Sequence, residues 1–180
     1  FDVVTYTGND TSGRTIAHSL GTAVGMIAVK NLSRASDWAV FHRSSNSAPQ
    51  DYVLEFQNAN AAFSSSSRWN DTAPTSSVFT VGDHVSVNQN GDSYVAYLWA
   101  HETGDDSMIQ CDSYTGNNKT NGPVIDLGFE PQWLLVKNAS GNGSSWSILD
   151  SMRGIHTVAP PRLMPDLNNE EFSNADNNIA

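Results

Sequence analysis

The chain has 180 residues, 38% of them hydrophobic, and its nine Lys and Arg against nineteen Asp and Glu leave a net charge of −10. That charge repels phosphate backbones and sets nucleic acid aside as a main partner, and no apolar run approaches the ~20 residues of a membrane-spanning helix. The single cysteine, Cys111, has no second cysteine to bridge and reads as a small buried hydrophobe.

Short segments rich in Val, Ile, Tyr and Thr, bounded by Gly, Asn, Asp and Ser, predict strands joined by turns. The first runs from Val3 to Thr7 and ends at Gly8-Asn9-Asp10, and Arg14 to His18 and Gly25 to Asn31 follow. In Trp38 to Arg43 the alternation puts Trp38, Val40 and His42 on one face and Ala39, Phe41 and Arg43 on the other. Tyr52 to Phe56 is the next strand, and Phe63 to Pro74, with serines from Ser64 to Ser67, is the least regular stretch. Ser77 to Val81, Val85 to Val87 and Tyr94 to Trp99 complete this half. The last two are joined by Asn88-Gln89-Asn90-Gly91-Asp92, whose Asn-Gly step suits the positive φ of a tight hairpin. Further strands are expected at Ser113 to Asn117, Val124-Ile125, Gln132 to Lys137 and Ser145 to Leu149. Gly154, Pro160, Pro161 and Pro165 then interrupt regular structure, and Asp166 to Phe172 has the acidic start of a helical turn or two.

The elements repeat at an interval of 107 or 108 residues. Tyr6-Thr7-Gly8-Asn9 returns as Tyr114-Thr115-Gly116-Asn117, Val29-Lys30-Asn31 as Val136-Lys137-Asn138, and Trp38-Ala39-Val40-Phe41 as Trp146-Ser147-Ile148-Leu149. Self-similarity at a fixed interval marks a copied structural unit. The expected architecture is therefore all-β, with β-sandwich units of jelly-roll or lectin-like type in tandem, residues 1–107 and 108–180. The second copy diverges after Met152 and has no counterpart of Tyr94 to Trp99, so it is expected to be incomplete, closed by residues after 180 or by another chain. Beginning without Met and stopping in mid-pattern, the sequence reads as a fragment.

Candidate sites are few. Trp69, beside Asn70 and Asp71 and flanked by Arg68, is the candidate glycan or receptor contact: sugars offer apolar faces that stack on an exposed indole and hydroxyls that need amide and carboxylate partners. The alternative makes Trp69 a buried loop anchor. Trp38 and Trp146 recur at equivalent positions and read as core. Asn88 to Asp92 has the alternating oxygens of a calcium loop but lacks its downstream bidentate Glu, which favours the hairpin. The Tyr-Thr-Gly-Asn motifs read as turn and packing residues. His42-Arg43 near Asp51, and His101-Glu102 near Asp105-Asp106, are close only along the chain, whereas acid–base chemistry needs convergence in space. No nucleophile elbow, His-Glu-x-x-His or Cys-x-x-Cys is present. No enzyme, cofactor or metal is expected.

The repeated segments, together with Thr15 to Gly21, Gly25 to Lys30, Asp37 to Arg43, Trp69 to Thr75, Tyr94 to Tyr97 and Gly128 to Lys137, resemble a repeat family found in tail-fibre-like and other virion structural proteins of tailed bacteriophages, especially marine ones. The resemblance implies a β-rich, oligomeric virion component displayed outside the particle. Its partners would be copies of itself, other virion proteins and host-surface glycan, and it carries over no catalytic residue. A lectin-like carbohydrate-binding module of a cell-surface or secreted protein is the second reading. A fibre-borne glycosidase, which would need two facing carboxylates, is the third.

Overall fold

The computed structural model describes residues 1–104, 107–119, 121–155, 160–168 and 171. Within them the chain is mostly β, arranged in antiparallel sheets, with one four-residue α-helix and two short 3-10 turns. The main sheet has four strands in the order β1 (Asp2–Thr7), β8 (Ser93–Ala100), β3 (Val24–Asn31) and β4 (Ala39–His42). β3 and β8 are its centre because their sequences are nearly continuous apolar runs, which only a strand covered on both faces can bury. β1 alternates half-buried and exposed positions, as an edge strand wetted on one face should.

One face of this sheet packs Ile27, Val29, Phe41, Tyr94, Ala96 and Leu98 against Ile16 and Phe79 of a second layer, the pair β2 (Arg14–Ala17) and β7 (Val78–Val81). The face alternation expected for Trp38 to Arg43 is present, with Ala39 and Phe41 in this core and Trp38 and Val40 on the opposite side. Each fully buried large side chain contributes about 1.5–3 kcal/mol of transfer free energy, so this layer is the main source of cohesion. A second hairpin, β5 (Tyr52–Val53) with β6 (Phe63–Ser64), leads into the helix α1 (Ser66–Trp69).

Two expectations in this half are corrected. Val85 to Val87 is a turn, with the Val87 and Asn88 N–H groups both donating to His84 O at 2.9 Å, so Asn88 to Asp92 links a turn to β8 and closes no hairpin. Asn88 explains why: its buried amide donates to Thr11 O and Gly82 O and accepts from Asn9 N–H, holding the loop down as a plug. Phe63 to Pro74 contains the short strand β6 and α1 where only irregular chain was expected.

The second half reproduces part of the first with the same pairing. The strands β9 (Trp133–Val136) and β10 (Ser147–Asp150) place Leu134 opposite Leu149 and Val136 opposite Ser147. At the repeat interval these are Ile27 opposite Phe41 and Val29 opposite Ala39 of β3 and β4. The flanking bonds match as well. Arg43 N–H donates to Gly25 O at 2.9 Å and Ser151 N–H to Gln132 O at 3.0 Å, and the Val40–Leu54 bridge has its counterpart in Ile148–Leu163. Trp38 N–H donates to Gln57 Oε1, as Trp146 N–H does to Asp166 Oδ1.

The strands expected at Ser113 to Asn117 and Val124-Ile125 do not form; these segments are exposed and belong to no ladder among the described residues. A turn at Pro165 and Asp166 stands where the terminal helix was expected, and the later part of that segment lies largely outside the described residues.

Candidate functional site

Where the β9–β10 hairpin docks on the outer face of the main sheet, it leaves a groove of about 460 Å³. Trp146 anchors the dock: its indole N–H donates to Glu55 O at 2.9 Å and its ring lies 4.4 Å from that of Phe56. Neighbouring loops join alongside, through Ala62 N–H to Ala139 O and Gly143 N–H to Ala59 O. The groove floor is Ala28, Tyr97 and Trp99 of the main sheet, one end is Trp38, Phe56 and Gln57, and the far wall is Trp133, Leu135, Ile148 and Pro165. A small residue at Ala28, between larger neighbours, makes the hollow.

The aromatic rings are ordered. Trp38 and Tyr97 stand 6.2 Å apart with planes inclined by 32°, and Tyr97 and Trp99 stand 6.5 Å apart at 37°, forming a row of three tilted tiles. The backbone creates this row because Tyr97 and Trp99 are two residues apart on β8 and so share a face. Phe56 meets Trp38 edge-on, and the Lys30 ammonium lies 5.9 Å from the Trp38 ring centre while bonding Ser36 O. Gln57 Oε1 accepts from the Trp38 main chain, which fixes the amide at the groove end. Among the described residues no carboxylate lines the groove. An apolar concavity with aromatic rings for half of its lining and one oriented amide has the composition common to ligand pockets.

The residues expected at a glycan contact are placed differently. Trp69 is 2% exposed, inside the core between the two layers and edge-on to Phe41, so its indole has no open face for a sugar. Arg68 is also buried, beside Glu55 at 3.5 Å. Asn70 is half-buried and Asp71 exposed, both with positive φ at the end of α1, and Asn70 Oδ1 accepts from Ser12 Oγ at 2.8 Å. The indole is drawn inward because the α1 turn presses on Gly82, where any Cβ would stand 2.2 Å from Ser67 O. This is the loop-anchor alternative, and it withdraws Trp69 and Arg68 from surface recognition.

His42 approaches His101, Arg43 and Asp112 in place of Asp51. Burial pushes the His42 imidazole down to about 4, with Asp112 opposing and Arg43 and His101 reinforcing the shift. Cys111 packs flat on Gly25, where a Cβ would meet its sulfur at 2.6 Å, and burial pushes its thiol up to about 11. It is therefore protonated and unreactive near neutrality. Asp105 and Asp106 lie outside the described residues. Among the described residues no group of three or more His, Cys, Asp or Glu side chains is placed to hold a metal ion. Asp92, the charged member of the calcium-like run, accepts from Asn31 and Arg34.

The groove was missed in the sequence because its walls come from both copies. Its one local sign was the spacing of Tyr97 and Trp99, two exposed-side aromatics on an otherwise buried strand.

A family model, the domain of unknown function DUF7483, matches residues 1–180. No curated protein and no solved structure matches the chain. The chain belongs to the DUF7483 family.

Proposed function

We propose that this member of the DUF7483 family is a virion structural protein, a tail-fibre-like element of tandem β-sandwich units that assembles with its own kind and adheres to a surface through the aromatic groove. The observation that carries the adhesive part is the row of Trp38, Tyr97 and Trp99, which runs from the groove's end onto its floor. Tilted ring faces beside one fixed amide suit the apolar face of a neutral saccharide ring, and an acidic chain of net charge −10 disfavours an anionic one. The tandem part is supported by the matching registers of β3–β4 and β9–β10.

The test is a panel of neutral oligosaccharides titrated against intrinsic Trp fluorescence, repeated on Trp99→Ala. Saturable binding that weakens by about tenfold or more in the variant, as expected for a central aromatic anchor, supports the groove. Binding unaffected by the change puts adhesion elsewhere. Antibody labelling of intact particles addresses the virion assignment separately. A lectin-like module of a cell-surface or secreted protein would use the same groove, and is the better reading if the protein binds glycan but labels no particle.

A further inference from the structure

The aromatic row does not stop at Trp99, and we infer that it takes an extended neutral oligosaccharide of β-1,4-linked pyranose units, with Phe1 as its outermost contact. This rests on the saccharide reading of the groove and adds the form of the sugar: a chain laid across the sheet, in place of a single terminal ring.

The strand register sets the path. Asp2 pairs with Leu98, so Phe1 comes beside Trp99 on the outer face of the main sheet. Its ring lies 5.3 Å from that of Trp99, inclined by 60°, and the residue is 60% exposed. At the opposite side Ala39 pairs with Val29, so Trp38 comes beside Lys30 at the entry to β4. β1 and β4 are the two edge strands of this sheet. The four rings of Trp38, Tyr97, Trp99 and Phe1 therefore cross it from edge to edge, with successive centres 6.2, 6.5 and 5.3 Å apart. Ala28 lies between Val40 and Tyr97, and a larger side chain there would fill the floor beneath the row.

Each step of the row is comparable with the advance of one pyranose unit along an extended chain. A monosaccharide would cover one ring and leave the others in water. A β-1,4 linkage joins equatorial positions, which keeps the chain extended and leaves the C–H faces of successive units bare, whereas axial linkages coil it. Hydroxyls then lie at the rims. At the Trp38 end, Gln57 Oε1 is held by Trp38 N–H while Nε2 has no partner among the described residues, which leaves one donor for a hydroxyl. A groove volume of about 460 Å³ falls in the range of small-ligand sites and favours a narrow chain over a folded partner.

The experiment is calorimetric titration of the full chain with matched pairs: glucose and cellotetraose, mannose and β-1,4-mannotetraose, N-acetylglucosamine and chitotetraose. The expected result is that one or more of the tetrasaccharides binds about tenfold or more tighter than its monosaccharide, as for a ligand spanning several aromatic anchors. Phe1→Ala, at an exposed ring, should weaken that tetrasaccharide by about threefold or more, and Phe1→Tyr, which keeps a ring, should restore it. A monosaccharide that binds as tightly as its tetrasaccharide would overturn the inference, as would indifference to Phe1→Ala, and both leave the groove reading standing. Binding of other neutral sugars with none of these chains bound would also overturn the inference alone. If no neutral saccharide of any length binds, the groove reading falls and the inference with it. A sugar-free dimer in sedimentation that Phe1→Ala dissolves would assign the end of the row to a second copy and overturn the inference too.

Discussion

Trp69 and Trp99 show how little a residue type says about its role until its surroundings are known. Trp69 is enclosed by Phe41 and the layers around it, whereas Trp99 turns one side to the groove. Trp69→Ala should therefore cost about 3–5 kcal/mol of stability, the range for deleting a buried aromatic, visible as a large drop in denaturant midpoint. Trp99→Ala, at a half-buried ring, should lower the midpoint clearly less than Trp69→Ala and act chiefly on binding. His42 sets a pH dependence. Its folded pKa, about 4, lies below its ordinary 6.5, so the unfolded chain takes the proton first and stability falls as pH drops from about 6.5 toward 4. The loss is on the order of 3 kcal/mol when that interval is complete. A His42→Gln variant should show a flatter midpoint between pH 7 and 4.5.

At the scale of elements, the duplicated Tyr-Thr-Gly-Asn motif is used in two ways. Gly8 ends β1 against the Asn88–Gln89 main chain, where a Cβ would stand 2.1 Å from Gln89 O, while Gly116 has nothing within 4 Å. Gly8→Ala must then displace the Asn88 plug and should lower the melting temperature by several degrees, an effect of roughly 1–3 kcal/mol. Gly116→Ala should leave it unchanged. Most main-sheet strands were legible because apolar runs and alternation are local properties. Val85 to Val87 was misread because its β-branched residues satisfy the same pattern, and the tertiary bonds of Asn88 override a weak β propensity.

For the molecule as a whole, the β9–β10 hairpin is held against the outer face of the main sheet by Trp146, inserted against Phe56 and Glu55. Trp146→Ala should release the β9–β10 hairpin from the main sheet. Hydrogen exchange in β9 and β10 should then rise at least about tenfold, while exchange in β3 and β8 stays slow, because the core between the sheet layers does not include Trp146. Groove ligand binding should be lost in the same variant, since one wall leaves with the hairpin. Uniform acceleration throughout the chain would mean that the two halves unfold as one.

The sequence by itself determined the β class, the strands of the main sheet, the repeat interval and the pairing of aromatic positions between copies, all of which follow from side-chain alternation and turn chemistry along the chain. Only the tertiary structure decided which aromatics line the groove. Burial depends on what packs opposite a strand, and for Trp69 and Trp99 that neighbour lies far away in sequence. It also decided that the β3–β4 pairing recurs in β9–β10 while, among the described residues, Ser113 to Asn117 joins no ladder, because a strand is made by the neighbour it pairs with and not by its own residues alone.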